Sequence, residues 1–231
     1  MIFKPAYLDN ILVGEYFEHD GFIYFFGNKN SNLDSLRRLY PKITFRALKQ
    51  IHSDAVVDSS AGDTPLEADA HYTKSFNVGI LIYTADCLPI LGSTQDYAFA
   101  IHAGWRGVFS DIVGNTLKLL PQNAPLYLCI GPHIQEQSFE VDLFLADKFH
   151  AQWRQKYGIS QAFGFQPNPN RNAKFYLNLQ ALVKTQVEYH RFEYTKITTS
   201  TVDTLTNSNY SSYRRDGKSS GRNISFVARL N

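Results

Sequence analysis

The sequence predicts a single domain that mixes β-strands with long helices, and three observations carry that expectation. Val78-Gly79-Ile80-Leu81-Ile82-Tyr83 is apolar on both alternating faces, the pattern of a central strand covered on two sides. Val141 to Tyr157 carries Leu145, Phe149 and Trp153 at spacings of four, and Leu177 to Phe192 carries Leu179, Val183 and Val187 likewise, so both segments read as amphipathic helices. The 231 residues are enough to bury a substantial core, and no repeat or linker divides them, so one domain over 1–231 is expected.

The remaining elements follow in chain order. Phe22 to Phe26 is an apolar strand closed by Gly27-Asn28, and Leu33 to Leu39 is a short helix stopped before Pro41. Ile43 to Leu48 fits helix and strand equally and delivers Gln50-Ile51-His52-Ser53, after which Ala55 to Val57 reads as a strand. Ser59 to Leu66, with Gly62, Asp63, Thr64 and Pro65, has the composition of a surface loop. Leu88 to Leu91 and Tyr97 to His102 form a hairpin about a turn at Gly92 to Asp96. Ser110 is placed to cap a helix running from Asp111 to about Leu120, ended by Pro121. Leu126 to Ile130 is a buried strand turned by Gly131-Pro132-His133, and Gly164 to Ala173 reads as an exposed loop. Lys196 to Thr201 is a strand, and a polar loop then feeds a last strand at Ile224 to Leu230.

Composition narrows the function. With 44% hydrophobic and 19% charged residues the chain is an ordinary soluble globule. A net charge of +2 without a dense Lys/Arg stripe argues against nucleic acid as partner. No apolar run is long enough to span a bilayer, and the amino terminus lacks the pattern of a secretory leader, so no membrane association is expected. The only cysteines are Cys87 and Cys129, too few for a disulfide scaffold, which points to a reducing, cytoplasmic setting. No heptad or apolar interface stripe is present, so a monomer is expected.

The chemistry concentrates at the two ends of the hairpin. Thr84-Ala85-Asp86-Cys87-Leu88-Pro89 and Ile101-His102-Ala103-Gly104-Trp105-Arg106-Gly107 bring a carboxylate, a thiol, an imidazole and a guanidinium to neighbouring strand ends. A free cysteine is often only a small core residue. Beside His102, however, Cys87 has two chemical uses. It is a nucleophile with His102 as base, as in thiol hydrolases, or both are metal ligands. A cysteine and two histidines suit Zn²⁺ and leave one coordination position open. His52 leads as the third ligand, because an apparent strand flanks it; His71 and His133, each next to a turn, are its rivals. His19, His150 and His190 fall in less organised or helical stretches and read as surface or structural residues. A metal there lowers the pKa of bound water to about 7, which is hydrolytic chemistry. Arg106, Arg214, Arg215 and Arg222 are candidates for an anionic group, Arg106 and Arg222 foremost because each lies beside a glycine in a turn.

Six blocks then carry a resemblance. Gln50-Ile51-His52-Ser53, Ala68-Asp69-Ala70, Thr84 to Pro89, His102 to Gly107, Ile130-Gly131-Pro132-His133-Ile134, and Tyr213-Arg214-Arg215-Asp216 with Gly221-Arg222 resemble, in order, the signature of the laccase-domain or polyphenol oxidoreductase family. The resemblance runs from about Ile43 to the end of the chain. It implies an α+β fold, two mixed β-sheets packed between helical layers, and a metal held by His52, Cys87 and His102. It also implies zinc-dependent purine nucleoside chemistry: phosphorolysis of adenosine, inosine, guanosine and methylthioadenosine to base and ribose 1-phosphate, together with adenosine deamination. Copper-dependent oxidation of phenols is the family's older assignment, and 7 dispersed histidines are too few for a multicopper centre. In the nucleoside scheme Asp86 is the candidate acid for moving protons, and Arg106, Arg215 and Arg222 are candidates for phosphate. A purine-binding module without catalysis is the remaining alternative.

Overall fold

The computed structural model describes residues 3–60, 66–159, 164–190, 192 and 194–231. Most of the loop expected between Ser59 and Leu66 therefore lies outside the described residues. The first half of the chain runs β1 (Lys4–Leu8), β2 (Ile11–His19), β3 (Phe22–Gly27), α1 (Leu33–Leu39), β4 (Thr44–Ala47), β5 (Val56–Asp58), β6 (Ala70–Thr73), β7 (Val78–Thr84), β8 (Leu88–Thr94) and β9 (Tyr97–Ala103). The second half runs α2 (Trp105–Phe109), α3 (Ile112–Leu117), β10 (Leu126–Ile130), β11 (Glu140–Asp142), α4 (Leu143–Tyr157), β12 (Phe165–Pro167), β13 (Lys174–Leu177), α5 (Leu179–Tyr189), β14 (Thr195–Thr199), α6 (Tyr213–Asp216) and β15 (Asn223–Arg229).

These strands make two six-stranded sheets, ordered β1-β2-β3-β15-β7-β4 and β14-β10-β8-β9-β6-β5, and a small sheet β11-β13-β12. Both large sheets are mixed: β4 runs parallel to β7, β14 to β10 and β5 to β6, while the other pairs are antiparallel. They pack face to face, and the period of two along each strand shows how. Tyr24, Phe26, Ile80 and Ile82 from the first sheet meet Leu91, Ala98, Ala100 and Cys129 from the second. The alternate residues Ile23, Phe25, Leu81 and Phe226 face outward onto Leu36 of α1. On the far side Leu88, Ile90, Phe99 and Ile101 pack against α2 to α5 and the small sheet. The fold is α+β, with two mixed sheets between helical layers, as the resemblance implies.

Several local expectations are corrected. Within Ile43 to Leu48, Thr44 to Ala47 resolve as strand β4, because they pair in parallel with Val78 to Leu81 of β7 and form the edge of the first sheet. The helix expected from Asp111 to Leu120 is two short helices. Asp111 takes a left-handed conformation with φ 68° between them, and Ser110 closes the first helix instead of opening the second. The hairpin turn is only Gln95-Asp96, since Gly92 to Thr94 remain in β8 opposite Ser93's partner Ala98 and its neighbours. Within Gly164 to Ala173, β12 buries Phe165 against α4, so this stretch is not wholly an exposed loop. The two long helices begin at Leu143 and Leu179, because the residues before them belong to β11 and β13.

Candidate metal centre and its cavity

The turn between β7 and β8 places the thiol. Asp86 has φ 86°, a conformation that bends the chain sharply, and Cys87 follows it immediately before β8. In the hairpin Leu88 pairs with Ala103 and Pro89 with His102, so Cys87 and His102 sit at the same end of adjacent strands. His52 comes from the loop between β4 and β5 and is itself left-handed, with φ 59°. Gln50 holds that loop to the sheet by imitating a strand: its Nε2 donates to Tyr83 O at 2.8 Å, and its Oε1 accepts from Tyr83 N at 2.7 Å.

The ligand atoms of His52, Cys87 and His102 all lie within 4.8 Å of one another. The two imidazoles meet edge to face, with ring centroids 4.8 Å apart. Gly104 makes the convergence possible. A Cβ there would stand 3.0 Å from Cys87 Sγ and 3.6 Å from His52 Cδ2, crowding two of the three side chains. His71 and His133, the rival third ligands, are buried elsewhere. His71 pairs with Ser59 Oγ, and His133 donates from Nδ1 to Gly131 O at 2.8 Å.

Electrostatics in this cluster favour a thiolate beside a charged imidazole. Burial alone would push the Cys87 thiol up, but the neighbouring His102 and His52 outweigh it and lower the thiol toward thiolate. Burial likewise opposes a charge on His102, yet Cys87 and Asp69 together raise it. His102 Nδ1 donates to Asp69 Oδ1 at 2.7 Å. Burial would raise Asp69, but hydrogen bonds from His102 and Ser53 prevail and hold it at about 2. The other cysteine, Cys129, lies between the sheets, where burial lifts its thiol to about 12. A metal that takes the place of the His102 proton would meet two imidazole nitrogens and a thiolate, a borderline-soft set that fits Zn²⁺ with a fourth position open.

The cluster lies in the wall of a cavity of about 690 Å³, the size of a small-molecule site. Tyr83, Trp105, Phe139 and Tyr213 supply flat apolar surface, and Arg106, Arg214 and Arg222 supply charge. Arg106 lies over the Trp105 ring at 4.6 Å, and Arg214 over Phe139 at 5.3 Å while donating to Glu140 O. Arg222 donates to Ser220 O and Gly221 O. Arg215 is not in the lining: its guanidinium donates to the carbonyls of Thr204, Leu205 and Tyr210 and pairs with Asp216 at 2.9 Å. Asp86 lines the cavity, with Oδ1 accepting from Thr204 Oγ1 at 2.7 Å and Oδ2 accepting from Arg214 N at 2.6 Å. That carboxylate anchors the segment carrying Arg214.

Sequence reasoning leaves Gln50, Asp69 and Arg214 without a settled role here. A legible signal exists for Asp69, an acid set between Ala68 and Ala70 at the start of an apolar strand, where a lone carboxylate needs partners.

The family model described as multi-copper polyphenol oxidoreductase laccase matches residues 29–230. A purine nucleoside phosphorylase of Clostridium acetobutylicum is 27% identical over 205 residues, 86% of this chain and 82% of that protein. One from Rickettsia prowazekii is 29% identical over 191 residues, 80% of this chain and 76% of that protein. The crystal structure of the Bacillus licheniformis hypothetical protein YfiH covers 95% of this chain and 97% of its own with TM-score 0.81 at 19% identity, a likeness of fold.

Proposed function

Because the chain belongs to the multi-copper polyphenol oxidoreductase laccase family and resembles purine nucleoside phosphorylases over four-fifths of its length, we propose that it is a metal-dependent purine nucleoside phosphorylase that also deaminates adenosine. The observation that carries this reading is the coincidence, in one cavity, of the His52–Cys87–His102 donor set with aromatic rings and three guanidinium groups. Phosphorolysis joins a purine nucleoside and phosphate and yields the free base and ribose 1-phosphate. Adenosine, inosine, guanosine and methylthioadenosine are the substrates proposed.

Each group then has a task. Trp105, Phe139 and Tyr213 offer faces on which a purine stacks. Arg106, Arg214 and Arg222 bind the phosphate, for which the guanidinium fork is suited. Asp86 is the proposed proton carrier in deamination, aimed by its bonds to Thr204 and Arg214. Zinc held by His52, Cys87 and His102 supplies Lewis-acid chemistry at neutral pH. Copper oxidation of phenols, which the family description names, fits less well: among the described residues these three side chains form the group able to hold a metal, and multicopper chemistry needs several such centres.

A second reading has an observation of its own. Asp69, His102 and Cys87 line up as orienting acid, base and thiol, the order used in thiol hydrolases. The two readings separate in one experiment. Wild type and the variants His52→Ala, Cys87→Ala and His102→Ala are assayed for metal content and for base release from each nucleoside with and without phosphate. The phosphorylase reading expects about one zinc per wild-type chain, loss of zinc and turnover in each variant, and phosphate-dependent release of ribose 1-phosphate. A zinc-loaded wild type that releases no base overturns it. Turnover by metal-free protein through a covalent Cys87 intermediate would establish the thiol reading in its place.

A further inference from the structure

We infer that Asp69 is the positioning residue that makes His52 and His102 act as one ligand pair, by fixing the tautomer of one and the loop of the other. The inference rests on the proposed metal centre and concerns what builds it. Asp69 is completely buried, and its carboxylate is the junction of two otherwise separate segments. Oδ1 accepts from His102 Nδ1 at 2.7 Å. Oδ2 accepts from Ile51 N at 3.1 Å, from Ser53 N at 2.6 Å and from Ser53 Oγ at 2.8 Å. The two amides flank His52, so one oxygen grips the chain on both sides of a ligand whose backbone is left-handed. The main chain repeats the link, since His102 N donates to Asp69 O at 2.7 Å.

Two consequences follow from the chemistry of a carboxylate, which can only accept when ionised. One hydrogen on His102 is held at Nδ1 by Asp69, so Nε2 is the atom that would yield its proton and offer a lone pair to a metal in the cluster. The loop bearing His52 is held in place by three donors converging on one buried charge, a bond type about twice as strong as a neutral one. Asparagine cannot do both. With its oxygen toward Ile51 and Ser53, its amino group faces His102 Nδ1 and forces the hydrogen to Nε2; with its oxygen toward His102, the amino group faces three donors.

The test uses the full chain with wild type, Asp69→Asn and Ser53→Ala. Zinc affinity is measured by competition with a chromophoric chelator, and the His102 ring nitrogens are assigned by ¹⁵N NMR. The expected wild-type result is a zinc-loaded His102 protonated at Nδ1. Asp69→Asn should lose about 10- to 100-fold in zinc affinity, the usual effect of removing such a partner. Ser53→Ala leaves the bond to His102 intact and should lose less than about 10-fold while keeping the Nδ1 proton. A role confined to holding the fold would lower the melting temperature of Asp69→Asn without changing zinc affinity or tautomer. That result overturns the inference, as does a zinc-loaded wild type whose His102 carries its hydrogen on Nε2 and not on Nδ1, which needs no variant to be seen. A wild type that binds no zinc overturns both the inference and the metal centre beneath it.

Discussion

Cys87 and His102 are legible from sequence because a hairpin makes their proximity local: two strand ends joined by a short turn have to meet. His52 is less so, since it arrives on a loop distant in sequence, between β4 and β5, and through a left-handed backbone that no spacing announces. The arginines show the limit most sharply. Arg214 and Arg215 are adjacent on a four-residue helix, about 100° apart around its axis, and only the packed neighbours decide which one enters the cavity. Their variants should therefore behave differently. Arg214→Ala removes a charge from the lining and should raise KM for phosphate by about 10-fold or more, the worth of one charge-assisted hydrogen bond. Arg215→Ala frees three carbonyls from their donor and should lower the melting temperature with little change in that KM. Equal KM effects would remove Arg214 from the phosphate site. Gly104 supports a second prediction at this scale. A methyl group 3.0 Å from Cys87 Sγ must push the thiol aside by a few tenths of an ångström. Gly104→Ala should thus weaken zinc binding by about 10-fold, because such sites tolerate little displacement, with the folded-state circular dichroism unchanged. Undiminished affinity would mean that the cradle is not where the metal sits.

Among the elements, those with a strong period are recognisable and those shaped by a single tertiary contact are not. β3, β7, α4 and the core of α5 declare themselves by apolar spacing. The interruption between α2 and α3 has a different origin. Asp111 is buried, its Oδ1 accepts from Tyr157 Oη at 2.8 Å, and its Oδ2 pairs with Lys156. Both partners lie at the end of α4, more than forty residues away, so the helix is broken by an attachment that local sequence does not contain. Gly114 accommodates the same carboxylate, since a Cβ there would stand 2.4 Å from Asp111 Oδ2. Asp111→Ala leaves Lys156 and Tyr157 without their acceptor and keeps an unfavourable φ, so it should cost about 3 kcal/mol of unfolding free energy. Asp111→Asn retains an acceptor for Tyr157 and tolerates the left-handed backbone, and should recover part of that loss. Urea midpoints of the three proteins decide the matter. An alanine variant as stable as wild type would show that the α2–α3 break is set by something other than this anchor.

At the scale of the molecule, strand pairing is the part that sequence conceals. The last strand, β15, inserts between β3 and β7, and the parallel partners of β7 and β10 come from distant segments. Such pairings are decided by which apolar faces close the core together, and many arrangements satisfy the same local pattern. One consequence of that closure is measurable as a pH dependence. His71 is enclosed in the second sheet, and burial lowers it to about 3; His133 is enclosed in the turn after β10, and burial lowers it to about 4. The hydrogen bonds of His133 agree with a neutral ring: Nδ1 donates to Gly131 O, and Nε2 faces the amide nitrogen of Gln135, a donor already directed at Val202 O. An unfolded histidine titrates near 6.5. Between that value and the folded ones the unfolded chain holds more protons, so stability rises with pH there and falls on acidification. Each histidine contributes up to about 1.4 kcal/mol per pH unit. Two of them together should make metal-free protein about 4 kcal/mol less stable at pH 5 than at pH 7. Below pH 4 the carboxylate of Asp69, held at about 2, adds a further loss as it is protonated. Urea denaturation of chelator-treated protein at pH 7, 6 and 5 measures the slope, and His133→Gln should remove about half of it. A flat profile across that range would mean that both imidazoles accept protons without opening the core that encloses them.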